Sequence, residues 1–369
     1  MKNSLHIQKI IVVTFVLFLM QGLQSCSDRS LIHSSMNAPS QASNPLHCSM
    51  PQFLRPGDKV ALLSPSYYCD TAKVNQAAEI IRSWGYIPVI GDNVDKTFMG
   101  KYAGTDEQRL DDLRKALSDP DIKAIVCNRG GYGTLHFINT LPLEYLTAHP
   151  KWIVGYSDIT TLHAMAVSAG VMSIHGIMSG GMAAANGEGY PTTLLRDMLR
   201  GVMPRYHVPP HPYNHPGQAT GTLVGGNLCT YTPLAGTVAD ILQHQDIILL
   251  IEEIDEPYRN IDRLFNMMVK RGLLANCRGI VLGDFSGCGT DMDYASVEEM
   301  LHTYLKDYDI PVLCGFPAGH GDVNLPLVMG APVKINVDAN GGTIDFGIGN
   351  RTNDFNIIDA LPTDTIPAP

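Results

Sequence analysis

The sequence lacks the cysteine spacings that build metal sites and disulfide frameworks. It contains eight cysteines in 369 residues, and no two of them form a Cys-x-x-Cys pair. When Cys26 is set aside, seven cysteines remain, an odd number that cannot pair completely. Cys127 and Cys314 lie in apolar runs, which is typical of small core residues. The spacings therefore predict neither a zinc site nor a disulfide scaffold.

The sequence is also poor in positive charge. Charged residues make up 17% of the chain, the net charge is −10, and no block of basic residues occurs. This pattern excludes an extended nucleic-acid surface, so we expect no nucleic-acid partner. Hydrophobic residues make up 45%, which indicates a globular protein. A chain of this length is expected to form two domains.

One long apolar run lies near the N-terminus. Residues 10–20 are apolar except for Thr14, and the basic residues Lys2 and Lys9 precede them. The run is short for a bilayer span and fits the core of a signal peptide. It predicts a targeting segment over residues 1–26.

The end of this segment, LQSC at residues 23–26, has the pattern of a bacterial lipoprotein signal, in which Cys26 is lipidated and becomes the N-terminus. An ordinary signal peptide cleaved nearby and an uncleaved anchor are the alternatives. Residues 27–51 are rich in Ser, Asn and Pro, as flexible tethers are. We therefore predict a lipoprotein held to a membrane by its N-terminal lipid, on the periplasmic side of the cell envelope.

Between residues 52 and 203, short apolar runs alternate with segments of helical spacing. The runs are residues 59–64, 86–90, 124–127, 152–154 and 171–174. Because they are continuously apolar, they predict a parallel sheet covered on both faces, in a doubly wound, flavodoxin-like α/β domain. Functional sites in such sheets lie at the carboxyl ends of the strands.

The rest of the chain predicts a second, smaller domain. Five prolines lie in and around residues 204–218, which favours a linker. Residues 219–347 predict a β-rich α/β domain, and residues 348–369 a loose tail. The linker also carries three histidines spaced by four: His207, His211 and His215. Because prolines exclude a helix here, we interpret them as surface-loop histidines rather than metal ligands.

The stretch KWIVGYSDITT at residues 151–161 predicts a buried strand, a tight turn and a helix. Ser157 lies where the strand gives way to the helix, beneath backbone N–H groups that have no helical partner. That geometry suits a nucleophile. A serine at a helix start also suits an N-cap, and the nucleophile-elbow pattern would have glycine where Ile159 stands. This stretch alone leaves both interpretations open.

A serine nucleophile needs a base and a group that orients the base. Glu252 ends the apolar run IILLIEEI, where a carboxylate is either a paired structural charge or a site residue. Glu253 follows it and points to the opposite face if the strand continues. His320 lies between two glycines in a loop, where it has little to pack against.

Several motifs occur together in a fixed order. They are RGGYG at 129–133, GYSDIT at 155–160, IEEIDEPY at 251–258, IDR at 261–263, and PAGH with NLPL within 317–327. Together they resemble the LD-carboxypeptidase family, serine peptidases that include muropeptide LD-carboxypeptidases and microcin C self-immunity peptidases. The resemblance covers about residues 53–347.

The resemblance implies a Ser–His–Glu triad and no metal or other cofactor. Ser157 is then the nucleophile, His320 the general base and Glu252 the orienting acid. Relatives often carry aspartate where Glu253 stands, so the choice between the two glutamates stays open. The family also suggests a homodimer.

The oxyanion hole implied by the family consists of backbone N–H groups. One is expected from Asp158 and the second from Gly130 or Gly131, because glycine lets backbone approach a substrate carbonyl closely. A phosphate cradle is the alternative, but no P-loop lysine follows. Arg129 is expected either to bind a substrate carboxylate or to tie two loops together.

The activity implied is hydrolysis of the L,D bond to the terminal D-alanine of a murein tetrapeptide, through an acyl-enzyme. The microcin branch of the family instead cleaves aminoacyl-adenylate conjugates. The lipoprotein-like start favours murein, although the better-known recycling relatives lack such a signal.

Two proteins of other classes also suit parts of the sequence. A lipid-anchored, two-domain solute-binding protein fits the length and the signal, but it has no reason to assemble Ser157, Glu252 and His320. An α/β-hydrolase esterase shares the order of the triad residues, and Ile159 argues against it.

Overall fold

The computed structural model describes residues 46–289, 291–349 and 351–361. The predicted signal segment, the lipidation site at Cys26 and most of the tether lie outside these residues. These described residues form one compact unit. Within the described ranges, no helix has the length and hydropathy needed to cross a bilayer.

Two β-sheets, covered by helices, make up the architecture. The strands are β1 (Lys59–Leu63), β2 (Ile87–Ile90), β3 (Ile122–Cys127), β4 (Trp152–Gly155), β5 (Ser173–His175), β6 (Val202–Val208), β7 (Gly217–Asn227), β8 (Ile247–Ile254), β9 (Cys277–Ser286), β10 (Val312–Leu313), β11 (Leu327–Met329), β12 (Pro332–Asp338), β13 (Gly341–Phe346) and β14 (Arg351–Asn356). The α-helices are α1 (Thr71–Ser83), α2 (Asp106–Ser118), α3 (Glu144–Ala148), α4 (Thr160–Ser168), α5 (Ser179–Ala184), α6 (Tyr190–Leu199), α7 (Leu228–Tyr231), α8 (Tyr258–Lys270) and α9 (Val297–Leu305).

The first sheet has the strand order β11-β5-β4-β3-β1-β2. Strands β1 to β5 are parallel and follow the flavodoxin-like order 2-1-3-4-5, which confirms the predicted fold class. The central strands are apolar and buried because helices cover both faces of the sheet. Strands β3 and β4 are neighbours, so the loops that follow them lie side by side at the carboxyl edge.

The second sheet has the order β10-β9-β8-β7-β12-β13-β6-β14. Strands β7 to β10 are parallel, whereas β12 and β13 pair antiparallel with their neighbours. Strand β8 is central, and Ile247–Ile251 within it have no exposed surface. This mixed sheet agrees with the β-rich α/β character predicted for the C-terminal part of the chain.

The proline-rich segment is not the linker that we expected over 204–218. Val202–Val208 forms strand β6, between β13 and β14, and β7 begins at Gly217. Strand β13 pairs only with the part of β6 that starts at Arg205, so the missing N–H of Pro204 costs no hydrogen bond on that side. His207 accordingly lies on a strand, with Nε2 2.9 Å from Asp354 Oδ1, and not in a surface loop.

The expected tail and the expected domain boundary also differ from the structure. Residues within 348–369 form β14, which pairs in parallel with β6 and ends the second sheet. Strand β11, from the C-terminal half of the chain, joins the first sheet beside β5. The two halves are therefore interleaved, since one edge of each sheet, β11 in the first and β14 in the second, comes from chain that is distant in sequence from its neighbour.

Candidate active site

Ser157 begins a single 3₁₀ turn, Ser157–Ile159, between β4 and α4. Its φ is 63°, a left-handed conformation that costs a residue other than glycine about 1–2 kcal/mol. Neither the 3₁₀ turn nor α4 has a side-chain cap, so the N-cap interpretation of Ser157 is wrong. The hydroxyl is half-buried and stands on a strained elbow, as in other serine enzymes.

The glycine loop after β3 packs directly on this serine. A Cβ on Gly130 would lie 2.8 Å from Ser157 Cβ and 3.0 Å from its Oγ. Gly131 has a φ of 122°, and a Cβ there would overlap the ring of Tyr67. Both positions therefore require glycine, and the loop backbone comes within contact distance of the hydroxyl.

Asp158 fixes the elbow to the loops around it. Its Oδ2 accepts hydrogen bonds from Ser66 Oγ at 2.6 Å and from the Thr134 N–H at 3.0 Å. Its carbonyl accepts a third from Thr134 Oγ1 at 2.6 Å. With the side chain held in this way, the N–H of Asp158 is fixed at the start of the turn, where amides lack helical partners.

His163, on α4, supports the elbow and was not among the site residues predicted from the sequence. Its Nε2 lies 2.8 Å from the Gly155 carbonyl and its Nδ1 lies 2.8 Å from Ser173 Oγ. Burial lowers the pKa of His163 to about 4, so the ring is neutral at pH 7. We assign Nε2–H as the donor to Gly155, with Nδ1 accepting from Ser173. The signal that could have identified His163 is that it is the one ionisable residue in the helix TTLHAMAVS.

Glu252 and His320 form a hydrogen-bonded pair. Glu252 lies near the end of β8 without exposed surface, and its Oε2 is 2.8 Å from His320 Nδ1. Because the carboxylate accepts, Nδ1–H donates and Nε2 is the nitrogen left to act on a substrate. A Cβ on the preceding Gly319 would lie 2.6 Å from that oxygen, so glycine permits the close approach.

Glu253 has a different environment on the opposite face of β8. Its carboxylate accepts from three donors: Asn227 Nδ2 at 2.8 Å, Cys229 N at 2.8 Å and Ile254 N at 2.9 Å. These bonds join β8 to the end of β7, and none reaches the histidine. The geometry therefore pairs Glu252 with His320 and gives Glu253 a structural role through Asn227, a residue that was not predicted from the sequence.

Three carboxylates set the protonation of His320. Burial lowers the pKa of His320, but the hydrogen bond and charge of Glu252, with the charges of Glu253 and Asp284, outweigh burial and raise it overall. Asp284 lies near the end of β9, and burial raises its own pKa to about 7. Its carboxylate lies against Gly321, in the histidine loop.

The two halves of the site meet at Tyr156, the residue before Ser157. Its ring centroid lies 5.0 Å from that of His320. His320 reaches the elbow because its loop runs from β10 on the second sheet to β11 on the first. In the described part of the chain no hydrogen bond joins Ser157 Oγ to His320, and such bonds often shorten only when substrate binds.

The structure thus brings together Ser157, Gly130, Asp158, Glu252 and His320. Arg129 lies at the exposed rim of the same site, and its Nη1 donates to the Tyr68 carbonyl at 3.3 Å. This bond ties the loop after β3 to the loop after β1, which is the structural role expected for Arg129 as an alternative to binding a substrate carboxylate. The guanidinium keeps further donors for a ligand.

Two family models match the chain. The LD-carboxypeptidase N-terminal domain matches residues 60–176, and the LD-carboxypeptidase C-terminal domain matches residues 220–335. The fold and these matches define the class of the protein, a two-sheet α/β serine carboxypeptidase. The chain belongs to the LD-carboxypeptidase family and is a hydrolase.

Individual relatives agree with this assignment. A Synechocystis protein that carries the name carboxypeptidase is 36% identical over 311 residues, covering 83% of this chain and 99% of that protein. A Bacillus subtilis protein named "Probable murein peptide carboxypeptidase" is 30% identical over 304 residues, with 81% and 95% covered. The murein tetrapeptide carboxypeptidase of Pseudomonas aeruginosa is 29% identical over 275 residues, with 72% and 89% covered.

Solved structures share the fold. The muramoyltetrapeptide carboxypeptidase of Oxalobacter formigenes superposes with a TM-score of 0.70 at 26% identity, covering 80% of this chain and all of that one. The microcin C7 self-immunity protein MccF, solved with aspartyl sulfamoyl adenosine, superposes with a TM-score of 0.68 at 23% identity, with 84% and 99% covered. The second likeness concerns the fold alone.

Proposed function

We propose that this protein is a serine LD-carboxypeptidase that removes the terminal D-alanine from murein tetrapeptides. The observation that carries the proposal is the buried Glu252–His320 hydrogen bond of 2.8 Å beside the strained elbow of Ser157. A nucleophile, a base and an orienting acid are the parts that acyl transfer needs. The names of the relatives from Bacillus subtilis and Pseudomonas aeruginosa support a murein peptide as substrate.

In the first step, His320 Nε2 takes the proton of Ser157 Oγ as the oxygen attacks the carbonyl carbon of the L,D bond. Glu252 holds Nδ1–H and stabilises the imidazolium that forms. The raised pKa of His320 suits this role, because the carboxylates around it stabilise the charged ring. Glu252 stays ionised throughout.

The negative charge that develops on the substrate oxygen is stabilised by backbone N–H groups. Asp158 supplies one, and the loop at Gly130 and Gly131 supplies the second. These groups are in place before the reaction, since Asp158 is anchored through Ser66 and Thr134. Preorganised donors of this kind lower the barrier without reorganising during the step.

Collapse of the tetrahedral intermediate breaks the C–N bond. His320 gives its proton to the departing amine of D-alanine and leaves the tripeptide acyl group as an ester on Ser157. Water then attacks this ester while His320 acts as base. The serine proton returns from the imidazolium as the tripeptide carboxylate departs.

The test is mass spectrometry of a murein tetrapeptide incubated with the chain that lacks the predicted signal segment, residues 1–26. We expect tripeptide and free D-alanine, and a loss of at least about 10³-fold in Ser157→Ala without a change in thermal unfolding. Ser83→Ala removes an exposed hydroxyl on α1 and is the matched control. Turnover retained in Ser157→Ala would contradict the triad. Cleavage of an aminoacyl-sulfamoyl adenosine instead of the tetrapeptide would keep the triad and reject murein.

We further propose that the chain acts at the periplasmic side of the envelope, tethered through a lipid on Cys26. The LQSC pattern at residues 23–26 supports this placement, as does a substrate that belongs to the cell wall. In cells that express the full chain, Cys26→Ala should abolish lipid labelling and move the protein out of the membrane fraction. Unchanged membrane attachment of that variant would reject the lipid anchor.

A further inference from the structure

A cleft of about 400 Å³ opens beside the elbow, and the triad does not use it. Its walls come from the loop after β1, the start of α1, the loop after β3, Tyr156 and the start of α5. This volume falls in the range of ligand-binding pockets. Tyr156, which lines the cleft, directly precedes Ser157 in the chain, so the cleft borders the elbow.

Two cations line the cleft. Lys73 lies in the first turn of α1 and Arg129 follows β3, and both are exposed. Among the described residues neither has a carboxylate within 4 Å. Asp70 is the acid in the wall, and its Oδ1 accepts the Ala72 N–H at 2.8 Å as the cap of α1. The cleft therefore carries two cations that lack a salt bridge among the described residues, and one carboxylate that caps a helix.

Lys73 and Arg129 line the cleft together with Cys69 and Asp70. Burial and the charge of Asp70 raise the pKa of the Cys69 thiol, whereas the charges of Lys73 and Arg129 act to lower it. Arg129 is further oriented by its bond to the Tyr68 carbonyl, which leaves the rest of its planar fork available.

The position of Arg129 links this charge to the chemistry. Arg129 directly precedes Gly130, whose backbone packs on Ser157. A carboxylate held by Arg129 is thus one residue away from the loop expected to bind the oxyanion. An exopeptidase needs such a contact because it must distinguish a free chain end from an internal peptide bond.

We propose that this cleft is a carboxylate subsite, in which Lys73 and Arg129 bind a free carboxylate of the substrate next to the scissile bond. The inference rests on the proposed function and names the substrate class, peptides with a carboxylate near the L,D bond. A tetrapeptide offers two sources of that group. One is the terminal carboxylate of D-alanine, and the other is the side-chain carboxylate of a diamino diacid that precedes it.

The experiment uses three substrates: a tetrapeptide that contains a diamino diacid, its C-terminal amide, and a tetrapeptide with lysine in place of the diamino diacid. Lys73→Met and Arg129→Met should each lower kcat/KM on the first substrate by about 10-fold, chiefly through KM, and the double variant by more. The substrate that lacks the bound carboxylate should be slow with the unaltered chain and almost insensitive to both substitutions. Lys334→Met removes an exposed cation on β12 and is the matched control.

Equal losses on all three substrates, or no loss on the first, would overturn the subsite. The amide identifies the terminal carboxylate if it is the insensitive substrate, and the lysine peptide identifies the side-chain carboxylate. Calorimetric titration of the Ser157→Ala chain with the tetrapeptide measures binding without turnover. If the unaltered chain cleaves no tetrapeptide while this binding still weakens in Lys73→Met and Arg129→Met, the proposed activity fails and the subsite stands.

Discussion

The two halves of the site are held in place by different forces. The serine half, on the first sheet, depends on shape: a left-handed Ser157, the backbone of Gly130 against it, and the neutral ring of His163 beneath it. The acid–base half, on the second sheet, depends on charge, because buried Glu252 and Glu253 each have their own donors. Substitutions in the first half should therefore act through geometry, and those in the second through protonation.

The largest effect on kcat is expected at one of two adjacent carboxylates, Glu252 and Glu253, because their roles differ. Glu252→Gln should lower kcat on the tetrapeptide by about 10³–10⁴-fold, since the neutral amide no longer stabilises the imidazolium. Glu253→Gln should keep kcat within a few-fold but destabilise the fold by about 1.5–3 kcal/mol, because three donors face its carboxylate.

Steady-state kinetics and urea unfolding of both glutamate variants measure these effects. Each variant is the control for the other, since charge and size change equally. If Glu253→Gln loses turnover while Glu252→Gln retains it, the assignment of the two carboxylates is reversed.

A purely steric change should break the serine half. Gly130→Ala places a Cβ 2.8 Å from Ser157 Cβ, so the elbow or the loop must shift. We expect kcat to fall by about 10²-fold with the shape of the pH profile unchanged. Gly347→Ala is the control, because its Cβ would meet only ordinary contacts at 3.6 Å or more. A changed pH profile in Gly130→Ala would contradict the assignment of the serine half to geometry alone.

The support beneath the elbow should matter more for stability than for chemistry. His163→Leu removes the hydrogen bonds to Gly155 and Ser173 and leaves the buried hydroxyl of Ser173 without this partner. We expect a loss of about 1–3 kcal/mol in the free energy of unfolding by urea. His149→Leu alters an exposed histidine and should stay within about 0.5 kcal/mol. Equal stabilities would show that His163 does not hold the elbow.

The smallest effect concerns the pH dependence of the charged half. Asp284, with Glu252 and Glu253, raises the pKa of His320. Asp284→Asn removes one of these charges, so the pKa of His320 falls. The acid limb of the kcat/KM profile should consequently move to lower pH, because the neutral base persists there. An unmoved limb would show that Asp284 does not act on His320.

Stability gives an independent measure of the same carboxyl group. The folded pKa of Asp284 is raised from 3.8 to about 7, so its neutral form is favoured in the fold and stability is lost as pH rises toward 7. Asp284→Asn should accordingly stabilise the fold more at pH 8 than at pH 4. Asp307→Asn, on the surface, should show no such difference. A pH-independent effect of Asp284→Asn would contradict the buried carboxyl.

Much of the first sheet could be predicted because its signals are local. Apolar runs and helical spacing reproduced the alternation of β1 to β5, and with them the place of the Ser157 elbow. Strand β6, at the start of the proline-rich segment, was missed because it forms by pairing with β13 and β14, more than a hundred residues away. Strand propensity depends on such neighbours, which single-sequence patterns do not contain.

The parallel α/β architecture, the elbow and the motif residues of the site follow from local patterns in the chain, because apolar periodicity, turn chemistry and motif spacing act over short stretches. The glutamate that contacts His320 could be identified only from the folded structure. Side chains alternate across a strand, so each carboxylate acquires its role from whatever packs on its own face of β8. The tertiary structure also decided that His320 lies beside the elbow, against Tyr156, because its loop crosses from the second sheet to β11 on the first.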